Sequence, residues 1–483
     1  MNPISKRMIR AWTQVGMRYL PFADAATEDV PLSRLLRLSL IQVSVAMSVV
    51  LLIGTLNRVM IVELGVPASL VGIMVSLPLL FAPFRAIIGF RSDNHQSELG
   101  WKRVPFIYRG TMVQFGGLAI MPFALLVLSG GGNAGALPAW VGQLAAGLSF
   151  LLVGAGLHTT QTVGLALATD LTPEELQPKV VGLMYVMLLF GTITSAIVFG
   201  ALLADFNPGR LVQVIQGAAV LTLVLNAIAT WKQEARGAHA RRGQVARVEP
   251  SFIDSWARFT AGNQAIPRLI ALGLGTMAFT MEDILLEPYG GQILKLAVGQ
   301  TTMLTATLAV GGLMGFGLAS HVLSKGADPF RLASQGALAG LPAFALVIAS
   351  APLDSPGLFA LGTWLIGFGA GLFSHGTLTA TMNLAPPNQA GLALGAWGAV
   401  QASAAGVAIA LGGIIRDVVD HHAPANNLGP AAGYHAVYGL EIILLFATLA
   451  AMWPLLRRNG ITAPPFQGHL SADLRPIPQG EEK

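Results

Sequence analysis

The sequence predicts an all-α membrane protein of twelve transmembrane helices arranged as two six-helix halves. Three observations lead there. Of 483 residues, 53% are hydrophobic and only 11% are charged, whereas a soluble domain carries about 25% charged residues. Too few polar side chains remain to coat a water-facing globule of this size. Apolar stretches long enough to cross a bilayer, about 20 residues each, recur along the chain, and one long polar connection divides them six and six.

In chain order the spans fall at 38–60, 67–90, 104–129, 139–166, 178–204 and 211–231, then at 267–287, 298–322, 330–350, 357–382, 389–416 and 435–456. Residues 1–37 form an N-terminal segment, 38–231 the first bundle, 232–266 a basic linker, 267–456 the second bundle and 457–483 a tail. The linker carries Arg236, Arg241, Arg242, Arg247 and Arg258. In the N-terminal segment, Lys6, Arg7, Arg10 and Arg18 interrupt any compact apolar core, so it does not read as a secretory signal. Met8, Trp12, Val15 and Tyr19 fit one face of a short helix lying on the membrane surface; an unstructured segment is the alternative.

With the N-terminus inside, all 29 Lys and Arg but Arg58, Arg210, Lys295 and Arg416 fall at the cytoplasmic side. The positive-inside rule then places both termini in the cytoplasm. That distribution explains the isoelectric point of about 9.6 without nucleic acid as a partner. The absence of cysteine excludes disulfides, thiolate metal sites and cysteine nucleophiles.

The halves echo each other. "LTPEELQPKVVGL" from Leu171 and "LAPPNQAGLALGA" from Leu384 share a Leu-x-Pro start, and each follows a span containing Gly-Ala-Gly-Leu. "VPFIYRG" after the second span has a counterpart in "DPFRLASQG" after the eighth. A parallel repeat of six spans is the pattern of major facilitator transporters. The loop "GFRSDNHQSELGWKRVPF" keeps their order of Gly89, Asp93, Gly100, Lys102 and Arg103, stretched by a few residues. Asp93, with Arg85 and Arg103 nearby, is the candidate for a cytoplasmic latch onto a helix N-terminus or Arg of the opposed half. For Arg85, snorkelling is the plainer account. Gly311 with Gly315, and Gly391 with Gly395, have the four-residue spacing that lets helix backbones approach.

Polar residues inside the spans are the candidate site. "MEDILLEPYGG" places Glu282, Asp283 and Glu287 near the end of the seventh span. Helical spacing puts Asp283 and Glu287 on one face, and Pro288 with Gly290-Gly291 is expected to break the helix. The plainer reading pairs these acids with Arg58 or Arg416 at the periplasmic ends of spans one and eleven. The sharper reading is a cavity or gate network that also takes in Asn57 and Asp417. His158 and His375 stand at nearly equivalent places in the halves, with Gln161 beside the first. A neutral imidazole can ligate the metal of a chlorophyll-type ring, although His, Thr and Gln inside membranes also serve as interhelical hydrogen-bond glue. No P-loop, dinucleotide fingerprint or His-Glu-x-x-His occurs, and no Asp-x-x-x-Asp cluster for magnesium diphosphate lies in a cytoplasmic loop. The chain is not expected to be an enzyme or to hold a catalytic cofactor or metal.

Longer blocks carry a resemblance from about residue 20 to residue 457. They include "GTLNRVMIVELGVPASLV" at 54–71, "APFRAIIGFRSDNHQSELGWKRVPFIYRGTMVQFGG" at 82–117, "HTTQTVGLALATDLTPEE" at 158–175, "EDILLEPYGG" at 282–291 and "GAWGAVQASAAGVAIALGGIIRD" at 395–417. Through them the chain resembles the PucC and LhaA family, the bacteriochlorophyll-delivery branch of the facilitator superfamily. The resemblance implies a purple phototrophic bacterium and an assembly factor, or chaperone, for light-harvesting antenna. Its cargo would be bacteriochlorophyll and its partners antenna subunits, with the reaction centre a further candidate. The family's PucC-like members serve the peripheral antenna and LhaA-like members the core antenna, and the wording here sits closer to the core type. The competing expectation is an ordinary secondary transporter of a small solute or lipid, with Asp283, Glu287 and Arg58 as proton-coupling groups.

Overall fold

The computed structural model describes residues 30–80, 84–93, 95, 97, 101–130, 138–173, 176–234, 265–383, 390–423, 425 and 429–458. The expected surface helix around Trp12, most of the basic linker and the C-terminal tail lie outside them. The described elements are helical throughout, which is what a bilayer enforces. Without water to receive backbone N–H and C=O groups, each segment must close its own hydrogen bonds.

Among the described residues, eleven helices are long and apolar enough to cross a membrane, from Leu32–Glu63 to Ala432–Leu456. The second expected span is present in two pieces, Ala68–Leu80 and Phe84–Asp93, on either side of residues 81–83. With it the count matches the twelve read from the sequence. The structure starts the first span earlier than expected and carries the seventh on to Gln292.

The packing is itself repeated. The third span lies along the fourth and the ninth along the tenth. The halves meet through the second span against the eleventh and the fifth against the eighth. Spans two and five of the first half correspond to eight and eleven of the second, so the two crossings are one exchange made twice. The entry to the third and ninth spans shows the same logic with different caps. Both start with a proline in the first turn, where its missing N–H is not needed. Asp328 caps the ninth span by accepting from Phe330 N and Arg331 N. The third span is instead capped from a distance: Glu234 accepts from the N–H groups of Lys102, Arg103 and Val104.

Small residues set the helix spacing. A Cβ on Gly311 or Gly315 of the eighth span would collide with the carbonyl oxygens of Trp364 and Phe368 on the tenth, and one on Gly367 with that of Leu308. Gly311 and Gly315 therefore serve backbone-to-backbone packing inside the second half. The pair Gly391 and Gly395 falls outside the residues whose packing is described.

Gly367→Leu should consequently destabilise the second half by about 1–3 kcal/mol, the usual cost of overpacking. Gly317→Leu on the eighth span, where a Cβ meets open space, should leave stability unchanged. Thermal unfolding of the two variants in detergent, followed by size-exclusion monodispersity, checks this.

Candidate functional site

The seventh span is interrupted. A helix over Ala265–Thr280 gives way to a single 3-10 turn, Glu282–Ile284, and the chain resumes as a helix over Leu286–Gln292. The sequence reading placed the break at Pro288 and Gly290-Gly291; the structure moves it upstream. Pro288 lies in the first turn of the second segment, where it loses no intrahelical bond. The acids are thus not at the end of the span. From Glu282 the chain runs ten further residues to Gln292, which at about 1.5 Å each is about 15 Å. That is half the depth of a ~30 Å hydrocarbon core.

Opposite the break, the first span is itself irregular. It turns π-helical over Val50–Thr55 and again over Val59–Glu63, on either side of Leu56–Arg58. π-turns concentrate at functional sites, and here the intervening turn presents Asn57. Its buried side-chain amide donates to the carbonyls of Asp283 (3.1 Å) and Ile284 (3.2 Å), two backbone acceptors at the interruption.

The 3-10 turn also changes how the acids are distributed. Asp283 and Glu287 no longer stack on one regular helical face as expected: Asp283 is half-buried, whereas Glu282 and Glu287 are buried. Glu287 accepts a 2.6 Å hydrogen bond from Thr305 of the eighth span and lies against Gly54 of the first. Glu282 lies beside the carboxyl of Glu441 on the twelfth span, with Tyr438 next to both.

Neither expected basic partner forms an ion pair with these acids. Arg58 pairs with Glu63 and donates to Leu296 O. Arg416 pairs with Asp417 (2.8 Å) and Asp420 (3.1 Å) and donates to Gln292. The geometric reason is the extended seventh span, which inserts Gln292 between Arg416 and the acids. Tyr434 donates to the same Gln292 oxygen at 2.7 Å.

Asp417 has a second role. Its Oδ2 accepts from Ser69 N at 2.7 Å, capping the start of the second span from the opposed half. Thr55 and Thr302 also approach across the halves, at 3.4 Å, and Gly413 lets the eleventh span touch the backbone at Ala68. These contacts, with those of Asn57 and Arg58, gather toward the end where spans one and two join, here termed the sealed end.

The expected latch at the other end does not bridge the halves among the described residues. Arg85 donates to Thr162 at 2.8 Å, and Arg103 binds Asp170 at 2.8 Å and Ser92 at 2.5 Å. All these partners belong to the first half. The side chain of Asp93 lies outside the described residues. The structure thus shows an acid capping a helix of the opposed half, as envisaged for Asp93, but at the other end and through Asp417.

The two histidines differ. His158 is buried, hydrogen-bonded to the carbonyl of Pro78, and close to Arg85, with Nδ1 unpartnered. Gln161, one turn on, donates to Gln42 at 3.4 Å. His375 is half-buried with its ring 4.2 Å from that of Phe316, and its Nδ1 is likewise unpartnered. The two stand in separate halves, on the fourth and tenth spans. A shallow surface depression of about 410 Å³ lies along spans seven and eleven, lined by Met277, Ala399, Val400, Ser403, Ala404 and Val407.

Sequence reading missed Glu441, Tyr438 and Gln292. The signal for the first was present: "GYHAVYGLEIILLF" sets one carboxylate in an otherwise uncharged span, which by default marks a functional position.

Two bundles of six helices, joined by exchanged crossings and enclosing polar groups in interrupted helices, give a multi-pass membrane protein with the fold of major facilitator transporters. A bacterial homologue of the lysosomal transporter Spinster, solved inward-facing and unoccupied, superposes with a TM-score of 0.68 at 14% identity, covering 88% of this chain and 96% of that one. The chain belongs to the PucC family, whose model, described as PUCC protein, matches residues 55–460. Among its relatives are Protein PucC of Rhodovulum sulfidophilum, 62% identical across 87% of this chain and 92% of that protein, and Protein PucC of Cereibacter sphaeroides, 57% identical across 95% and 98%. Membership links the chain to the photosynthetic light-harvesting system.

Asp417→Ala should loosen the sealed end by about 1 kcal/mol, the usual cost of losing a helix cap. Because the chain has no native cysteine, Thr302→Cys gives a single reporter facing Thr55. Its thiol labelling should run about fivefold faster with Asp417→Ala, and unchanged labelling would show that the cap does not hold the halves together.

Proposed function

We propose that this protein is an assembly factor for light-harvesting antenna, binding bacteriochlorophyll in the membrane and presenting it to newly inserted antenna subunits. Membership of the PucC family over nearly the whole chain carries this reading. The physical setting agrees with it. The pigment is apolar and membrane-dissolved, a shallow depression lined mainly by small and apolar residues runs along spans seven and eleven, and handing over a pigment requires no covalent chemistry. Nδ1 is unpartnered in both His158 and His375, and His158 is the favoured axial ligand because it is the more deeply buried of the two. His375 and Gln161 are the second candidates. The protein would sit in the inner, intracytoplasmic photosynthetic membrane with both termini in the cytoplasm and the sealed end toward the periplasm. Antenna subunits, and the reaction centre where the core antenna is served, are its partners.

The wording of the sequence favours the core antenna, whereas the identities to two PucC proteins favour the peripheral one. We take the identities as the stronger argument, because they extend over 87% and 95% of the chain. Deleting the gene should remove one antenna absorbance band while leaving the other, and the band lost decides between the two. Retention of both bands would refute the assembly role.

His158→Phe should lower the pigment that co-purifies from pigmented cells at least severalfold, with protein level unchanged. Normal pigment on a normally expressed His158→Phe protein would leave this histidine only its packing role. A transporter of a small solute remains the rival reading, favoured by the buried carboxyls of the seventh span. It predicts solute uptake by pigment-free proteoliposomes, which the assembly reading does not.

A further inference from the structure

Glu282 and Glu441 are both buried, at 1% and 0% exposure, in a chain that crosses a membrane. Their carboxyls neighbour each other, and no described residue donates to either oxygen of Glu441 or to Oε2 of Glu282. Two neighbouring carboxyls buried without donors or a counter-ion cannot both be ionised, so a proton resides on at least one of them. The hydroxyl of Tyr438, at 0% exposure, has no partner either.

The charged and titratable surroundings can be named element by element. The seventh span contributes Asp283, Glu287 and Tyr289. The twelfth contributes Tyr438, Tyr434 and His435, of which His435 stacks toward Tyr289. From the first span comes Arg58, held by Glu63; from the eleventh come Arg416, Asp417 and Asp420, paired with one another at the sealed end. Spans two, nine and ten meet this region through Gly72, Val347, Ser350 and Phe359, none of which titrates. Among the described residues no cation therefore faces the pair, and no group of three or more acids or histidines has an arrangement that could hold a metal ion. A proton is the ligand the geometry admits.

The same turn forms part of the joint between the halves. Asp283 and Ile284, beside Glu282, take the two hydrogen bonds from Asn57. Ile284 packs on Gly72 of the second span, and the backbone of Met281 lies on Gly412 of the eleventh. We propose that Glu282 and Glu441 form a proton-binding site whose occupancy holds the two halves together at the sealed end, making the protein's conformational cycle proton-coupled. When that proton leaves, two adjacent carboxylates face each other with no cation in a dry pocket. Repulsion and the demand for water then pull the Glu282 turn away from Asn57, and the seal opens.

The test uses the purified full-length protein in pigment-free nanodiscs, so its outcome is independent of the antenna role. Asp205→Cys and Leu353→Cys place spin labels on exposed positions of the two halves at the sealed end. The distance between them should be short at acidic pH and lengthen as pH rises. A protonated-carboxyl stretching band in infrared spectra should disappear over the same pH interval. Glu282→Gln with Glu441→Gln, neutral at every pH, should keep the distance short throughout and lack that band component. A distance that ignores pH while the protein stays folded overturns the proposal. So does a change that follows added sodium at constant pH, or one that persists in the double variant. If the double variant does not fold, the infrared band of the labelled, otherwise native protein decides alone: no pH-titrating protonated carboxyl, no site.

Discussion

The joint between Asn57 and the interrupted seventh span is the constraint on which the rest of the structure depends. Where a helix breaks inside a bilayer, it leaves carbonyls that no water can satisfy, each costing several kcal/mol. Asn57 lies on the other half of the protein and donates to two acceptors at the break, on Asp283 and Ile284. The break can exist at this depth only while the halves are in register there. Conversely, any motion that separates the halves at this point must supply those carbonyls with another donor. The irregularity of the first span belongs to the same solution, since π-turns on either side of Leu56–Arg58 set the register at which Asn57 meets the break.

The remaining interface follows from that joint. Once the seventh span is fixed against the first, Gly412 and Gly413 bring the eleventh span close to Met281 and Ala68, within reach for Asp417 to cap the second span. On the other flank, Gly200 and Gly299 let the fifth and eighth spans touch backbone to backbone. Lipid tails are as apolar as leucine, so hydrophobic burial contributes little to holding such helices together. Close backbone packing and buried hydrogen bonds must do it, which accounts for the placing of glycines and polar caps on the surfaces where the halves meet.

Much of the fold was legible from sequence because hydropathy, the basic-residue bias and the internal repeat each report on the bilayer rather than on tertiary detail. The site was legible only in part. Glu282, Glu287, Asn57 and Asp417 stood out as polar residues in apolar runs, and the structure places them in or beside one joint. Their partners could not be read. Pairing Glu282 with Glu441 requires knowing that the seventh and twelfth spans adjoin, a contact between residues 159 positions apart. The misplacement of the break has a local cause: Pro288 and Gly290-Gly291 carry the breaker signal, but a proline disturbs the turn before it rather than its own. Lacking an N–H, Pro288 cannot bond the carbonyl of Ile284, so the interruption falls at Met281–Leu285, one turn upstream. The contacts to Asn57, Gly412 and Gly72 that support it there are invisible to any local rule.

That origin bears on how the protein could work. Pro288 keeps the chain from closing a regular turn at 284 in any conformation, whereas the donors to Asp283 and Ile284 come from the other half. If the halves part at the sealed end, the turn at 282–284 loses those donors and must find others by changing shape. A change of register by even one residue rotates the following side chains by about 100°, which would carry Glu287 away from Thr305 and Gly54. The buried carboxyls and the interface between the halves are therefore geometrically one element, and a motion of either reaches the other.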